Sequence, residues 1–345
     1  MDILQQDIER LSFQFRDSEQ FRDRTFVITG ATGLLGTVTI NCLLALNEKC
    51  NLNLRIIAVV RDINKAVSIL GPESDSLTFY IYDFASDEQF DLKGIVDYII
   101  HFASPTASKF FVNNPVETIK TGINGTETIL EYARVNRPKC IVYVSSLEVY
   151  GIVTNDENPL TEDCQGYLDV ANVRSSYPMT KRAAECMCHA YAEEYGLPVR
   201  IARLAQTFGA GVDKNDNRVF AQFARCVINN EDIVLHTNGK LKRSYCYTTD
   251  AISAIFYILL KGKDGDVYNV ANEKTYISIV DMARFLCDEF NQKIKPVIQI
   301  KEGMGYSPDT KLRLDTTKLK NLGWNSMYDL HEMFENLIKW LGNRD

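Results

Sequence analysis

Tyr177-Pro-Met-Thr-Lys181 sets a phenol and an ammonium four residues apart. On a helix that spacing puts both side chains on one face, one turn from each other. A phenol with an ordinary pKa near 10 is a poor base at neutral pH, but a neighbouring ammonium stabilises the phenolate and lowers that pKa. The pair is therefore suited to taking a proton from a hydroxyl. Y-x-x-x-K alone is common by chance and usually a surface pair. Here it follows an apolar run that ends Val144-Ser145-Ser146, whose hydroxyl can orient a substrate oxygen beside the phenol.

A second constellation lies upstream. Gly30-Ala-Thr32-Gly33-Leu34-Leu35-Gly36 is G-x-x-G-x-x-G between a β-rich run and a helical stretch. Glycines there allow a tight turn and close approach of backbone to a pyrophosphate at the helix N-terminus. A lone glycine motif is weak; this one opens a βαβ alternation, which makes it a dinucleotide site. The next strand ends Val60-Arg61-Asp62. An acid at that point would bind the adenosine ribose hydroxyls and favour NAD, whereas an arginine accepts a 2′-phosphate and favours NADP. Arg61 and Asp62 compete for the role, and the reading leans to NADP. Asp83 and Phe84, after the third strand, sit where an adenine edge would be read.

These residues need a scaffold. Apolar runs at 25–29, 55–60, 77–82, 96–100, 140–144 and 199–202 alternate with helical patterns, notably 115–136 and 177–195. Continuous apolar strands between helices predict an α/β fold, a Rossmann-type doubly wound parallel sheet covered on both faces. Residues 1–22 read as a helical N-terminal extension and 23–205 as the dinucleotide-binding domain, with a returning segment near 243–272. Residues 206–242 and 273–345 read as a smaller, mixed α/β C-terminal substrate lobe.

Composition bounds the rest. The 345 residues are 46% hydrophobic and 24% charged, with a net charge of −7. A general nucleic-acid binder would carry a basic face. The longest apolar run, 251–260, is far short of the roughly 20 residues of a membrane span, and the first residues lack an apolar signal core. The expectation is a cytoplasmic protein with no membrane partner. Nine cysteines are scattered without a C-x-x-C pair, so no metal site is expected.

Taken together, the chain resembles the extended short-chain dehydrogenase/reductase family, the NAD-dependent epimerase/dehydratase group that modifies nucleotide sugars. The resemblance covers about residues 24–325. It rests on Gly30/Gly33/Gly36, His101-Phe-Ala-Ser104, Asn124-Gly-Thr126, Ser145-Ser-Leu-Glu-Val-Tyr-Gly151, Tyr177/Lys181, Arg243-Ser-Tyr-Cys-Tyr-Thr-Thr-Asp250 and Leu322-Gly-Trp324. It implies Tyr177 as catalytic base and acid, Ser146 as the orienting hydroxyl, and Lys181 as a further contact to the nicotinamide ribose. Phe102, Ala103, Ser104 and Leu204 would line the cofactor. Arg243 matches a pyrophosphate-binding arginine, with Gln206 and Asp309 near the nucleotide. His101, ending a buried strand, reads as structural. The resemblance also implies a homodimer through the helices at 115–136 and 177–195, although their apolar positions equally suit an intrachain core.

The chain also departs from the family pattern. The sugar 4,6-dehydratases carry Asp-Glu after the serine or threonine; here Leu147 precedes Glu148, which removes one acid. Glu148 is either a second acid/base or a strand-end carboxylate. The decarboxylases carry an arginine in R-K-P-D, where this chain has Tyr306-Ser-Pro-Asp309, and a bidentate carboxylate clamp is lost. N-V-x-G-T reads Gly122-Ile-Asn-Gly-Thr126, and Gln206 stands for an asparagine. The expected activity is epimerisation through a keto intermediate at a sugar hydroxyl, at carbon 4. The alternative is net NADPH-dependent reduction of a nucleotide-linked ketose or keto-sugar. A decarboxylase or 4,6-dehydratase ranks lower, and a non-catalytic cofactor binder lowest, because Ser146, Tyr177 and Lys181 are intact.

Overall fold

A computed structural model describes residues 2–86, 88–105, 108–301 and 309–343. In chain order its strands are β1 (Thr25–Thr29), β2 (Arg55–Val60), β3 (Leu77–Ile81), β4 (Tyr98–His101), β5 (Cys140–Ser146), β6 (Val199–Leu204) and β7 (Gln206–Phe208). They continue as β8 (Ile233–Leu235), β9 (Lys242–Tyr247), β10 (Val267–Val270), β11 (Asn272–Ser278), β12 (Pro296–Ile298) and β13 (Lys311–Leu312). The helices run from α1 (Ile3–Gln14), α2 (Leu34–Cys50), α3 (Ile63–Leu70), α4 (Ser108–Asn113) and α5 (Pro115–Asn136) to α6 (Ser176–Tyr195). Then come α7 (Val219–Asn229), α8 (Thr248–Lys261), α9 (Ile279–Phe290), α10 (Thr317–Lys320) and α11 (Leu330–Gly342).

The large sheet has the order β10-β6-β5-β4-β1-β2-β3, and every pairing in it is parallel. Its strand order reverses between β1 and β4, the crevice where such sheets bind ligands. The apolar runs are continuous because both faces are buried. On β1, Phe26 and Ile28 join a core with Leu43 and Phe256, while Val27 points to the other face with Ile99, Leu130 and Tyr143. The doubly wound fold expected from the alternation is what the chain adopts.

The segment expected to return near 243–272 divides. β10 completes the large sheet and α8 packs on its core, whereas β9 pairs with β7, β11 and β13 in a second, smaller sheet. Phe208, Phe220, Tyr245, Met282, Phe334 and Trp340 form a separate core around it. Asp250, at the start of α8, latches the C-terminal turn by accepting the N–H groups of Met327 (2.8 Å) and Tyr328 (3.3 Å). Trp324 Nε1 donates to Ser253 Oγ at 2.9 Å, so two motifs distant in sequence close one structural clasp.

The helical extension packs into the body. Asp7 on α1 is buried and accepts hydrogen bonds from Tyr247 Oη (2.5 Å), Tyr328 Oη (2.8 Å) and Asn336 Nδ2 (3.2 Å). Gly122 of α5 explains one departure from the family pattern: a Cβ there would lie 2.2 Å from Thr180 Cγ2 on α6. The missing side chain lets α6, which carries Tyr177 and Lys181, close onto α5. Among the described residues no helix is long and apolar enough to cross a membrane.

Candidate active site

β1 delivers the glycine loop to the switch point. Gly30 takes φ +63°, and a Cβ on it would meet Ala103 N at 3.0 Å; one on Gly36 would meet Gly30 O at 2.3 Å. The loop, the first turn of α2 and the Phe102–Ala103 backbone thus pack against each other with no room for side chains. Gly33 caps α2 without a side chain and no acid occupies the first turn, so the N–H groups of Leu34, Leu35 and Gly36 keep the open face that suits a pyrophosphate. Thr32, beside them, is half-buried, as are Phe102 and Ser104. The residues present fit a dinucleotide.

His101 holds this cradle from below. Its Nδ1 bonds Thr29 Oγ1 at 2.7 Å, and Thr29 Oγ1 in turn accepts from Ala103 N at 3.1 Å. Burial, aided by Lys181, drives the imidazole pKa down to about 3. It is a neutral structural residue.

At the end of β2, Arg61 and Asp62 are both exposed, but Asp62 Oδ1 caps α3 by accepting from Asn64 N (2.9 Å) and Lys65 N (3.1 Å). The Asp83 carboxylate makes a local turn with Ala85 N at 3.0 Å. The Phe84 ring is buried against His101 (5.5 Å between centroids) and Phe90. Leu204 is buried at the end of β6, in register with Ser146.

β5 and α6 bring the catalytic candidates together. Ser146 ends β5 and accepts from Glu148 N at 3.3 Å; Tyr177 enters from the first turn of α6. Lys181 follows one turn on, fully enclosed, with Nζ donating to Val144 O at 2.8 Å and standing 4.8 Å from the Tyr143 ring centroid. Burial pushes the Lys181 ammonium down to about 8, against the pull of Glu185. The phenol corrects the expectation of a lowered pKa. Burial pushes Tyr177 up, the Glu148 charge adds to this, and Ser146 and Arg218 oppose it. Desolvation of a buried phenolate outweighs its hydrogen bonds and cationic neighbours.

Arg243, on β9, reaches across from the second sheet: its Nη1 stands 3.6 Å from Glu148 Oε1. Its buried Nε has no hydrogen-bond partner among the described residues, a donor left over for an anion. Gln206 begins β7, paired with Tyr245 of β9. Asp309 is exposed and accepts from Asn238 Nδ2 at 3.1 Å, two residues before β13; it stands apart from the dyad's immediate contacts. Tyr306 lies outside the described residues.

Three neighbours were not singled out in the sequence. Phe111 stacks on Tyr177, with centroids 5.1 Å apart and planes 13° from parallel. Arg174 lies 5.6 Å from the Phe111 centroid and feels both Glu148 and Arg243. Arg218 acts on the Tyr177 phenol from the start of α7. Arg174 had a local signal, standing three residues before Tyr177. Phe111 and Arg218 had none, because long segments separate them from the dyad.

The model for the NAD dependent epimerase/dehydratase family matches residues 26–271. The chain is 28% identical over 330 residues to an Arabidopsis thaliana trifunctional UDP-glucose 4,6-dehydratase/UDP-4-keto-6-deoxy-D-glucose 3,5-epimerase/UDP-4-keto-L-rhamnose-reductase, covering 94% of this chain. It is 32% identical over 239 residues to UDP-glucuronic acid decarboxylase 5 of the same plant, covering 69% of this chain. The chain spans about half the length of the trifunctional protein (48%) and 67% of the decarboxylase. Its fold matches a dTDP-glucose 4,6-dehydratase of Bacillus anthracis solved in complex with NAD, at a TM-score of 0.74 and 20% identity, over 93% of this chain and 97% of that one.

Proposed function

The chain belongs to the NAD dependent epimerase/dehydratase family, and from that premise we propose that it oxidises a hydroxyl of a nucleoside-diphosphate sugar, at carbon 4, and returns the keto intermediate as an epimer. The observation that carries this reading is the convergence of Ser146, Tyr177 and Lys181 at the end of β5, facing the Glu148–Arg243 pair.

The chemistry follows from the neighbours. The Tyr177 phenolate takes the hydroxyl proton while Ser146 donates to the same substrate oxygen, holding it beside the base. A nicotinamide, when bound, supplies the hydride acceptor and a positive charge that favours the phenolate. Lys181 would donate to the nicotinamide ribose and adds a second cation. Arg243, with its unpartnered Nε, receives the diphosphate, and Glu148 is left to face the sugar. Leu147 is buried in the core and offers no acid for loss of water, which supports epimerisation over 4,6-dehydration. Exposed Val116 and Ile119 on α5 support a homodimer through this helix, to be checked by sedimentation.

A second reading, net reduction of a nucleotide-linked keto-sugar by NADPH, draws support from the end of β2. Asp62 commits one carboxylate oxygen to capping α3, leaving exposed Arg61 as the side chain for a 2′-phosphate. One experiment separates the two: UDP-, dTDP-, GDP- and CDP-sugars are incubated with the protein, with and without NADPH, and products are resolved by chromatography and weighed by mass spectrometry. Isomerised product of unchanged mass without added NADPH supports the epimerase. A gain of two hydrogens matched by NADPH loss supports the reductase, and no change with any sugar overturns both.

A further inference from the structure

α6 carries a buried acid to which the reaction above gives no task. Glu185 lies one turn beyond Lys181 and is 5% exposed. Ser145 Oγ donates to its Oε1 at 2.5 Å. Arg203, on β6, closes on the same carboxylate through Nε (3.0 Å to Oε1) and Nη2 (2.7 Å to Oε2). Arg203 Nη1 also donates to Tyr150 Oη at 3.1 Å and to the Glu162 carbonyl at 2.6 Å. Tyr150 Oη passes the chain on to Asn269 Oδ1 at 2.7 Å. One carboxylate therefore ties together β5, α6, β6 and, through Tyr150, β10.

Burying an ion pair gains little stability over an apolar replacement, since desolvation consumes most of the attraction. A reason beyond stability is needed, and Lys181 supplies one. The groups that face its ammonium are the Val144 carbonyl, the Tyr143 and Tyr177 phenols, His101, Cys188 and Glu185. Before a cofactor binds, burial keeps both phenols and the Cys188 thiol protonated and His101 neutral. Arg203, bonded to Glu185, and Arg182, bonded to the Val149 and Gly166 carbonyls, are further cations near the carboxylate. Of these groups, Glu185 alone brings a negative charge to the buried ammonium.

We propose that Glu185 is a positioning residue for the dyad: its carboxylate keeps Lys181 an ammonium and, through Ser145, fixes the end of β5 that presents Ser146. The role rests on the reading that Lys181 works as a cation, but its test needs neither sugar nor turnover. Full-length protein labelled with ¹³C at lysine Cε is titrated by NMR, the Lys181 signal being identified by its loss in Lys181→Met. The Lys181 midpoint should fall by about one pH unit, a tenfold loss of proton affinity, in Glu185→Gln. Glu185→Asp, which keeps the charge but withdraws it by one methylene, should fall by less. An unchanged midpoint in folded Glu185→Gln overturns the role and leaves Glu185 a structural tie. Should Glu185→Gln not fold, Glu185→Met, which also removes the charge, is titrated in its place, and an unchanged midpoint there overturns the role equally. A lowered midpoint alongside a sugar panel without products would sink the proposed reaction and leave the Glu185 assignment standing.

Discussion

Arg243 Nη1 stands 3.6 Å from Glu148 Oε1, and this contact joins the second sheet to the turn that follows β5 of the first. Both side chains are mostly buried, so each is expensive to leave unpaired. If Arg243 takes the diphosphate as proposed, that group competes with Glu148 for the guanidinium and frees the carboxylate to face the sugar. Arg243→Ala should therefore raise KM for the nucleotide sugar by roughly 10- to 100-fold, the worth of a hydrogen bond to a charged group. NADH affinity, read by fluorescence titration, should stay within twofold; an unchanged KM would remove Arg243 from the substrate site.

The base is tested by deleting one oxygen. Tyr177→Phe keeps the stack on Phe111 and the packing of α6, so Tm and NADH affinity should hold. Turnover should drop by about 10²–10⁴ or more, the usual worth of a positioned acid–base group. Turnover within tenfold of wild type would mean that another group takes the proton.

Gly36→Ala tests the cradle. Its Cβ would lie 2.3 Å from Gly30 O and 2.8 Å from Ala31 Cα, both backbone atoms that cannot rotate away. A destabilisation of about 1–3 kcal/mol is expected from the overlap, together with at least a tenfold loss of NADH affinity. Binding that survives intact would show that the glycine loop does not face the cofactor.

The buried acid of α1 sets a pH dependence with a definite sign. Burial raises Asp7 to about 6 from 3.8, against the hydrogen bonds of Tyr247 and Tyr328. The folded state thus holds a proton that the unfolded chain has released, and this contribution to stability is full below pH 3.8 and lost as pH rises through 6. Urea unfolding should show the advantage of wild type over Asp7→Asn shrinking from pH 4.5 to 7. Asp7→Ala strands three donors and should cost about 1–3 kcal/mol at pH 7. A pH-independent difference between wild type and Asp7→Asn would refute the assignment.

Cofactor choice rests on Arg61. If it binds a 2′-phosphate, NADPH should bind more tightly than NADH, and Arg61→Ala should reverse that order. Tighter NADH binding by the wild type would exclude the 2′-phosphate reading and leave Asp62 Oδ2 as the ribose acceptor.

What the sequence alone determined about this protein is what local spacing dictates. The glycine loop is one strand–helix turn, the Tyr177/Lys181 pair is one helical turn, and the apolar runs needed only their continuity to announce a sheet buried on both faces. Family membership follows from the order of those local motifs. The tertiary structure alone decided the neighbours. Phe111 on Tyr177, Arg243 on Glu148 and Arg203 on Glu185 join residues from elements far apart in the chain, and no periodicity encodes such meetings. The same holds for protonation. Spacing argues that Lys181 lowers the Tyr177 pKa, yet enclosure by surrounding elements raises it, because the cost of burying a charge depends on everything that excludes water. Asp62 and Phe84 teach the lesson at smaller scale: Asp62 Oδ1 caps α3, and the Phe84 ring is buried against His101 of β4 and Phe90.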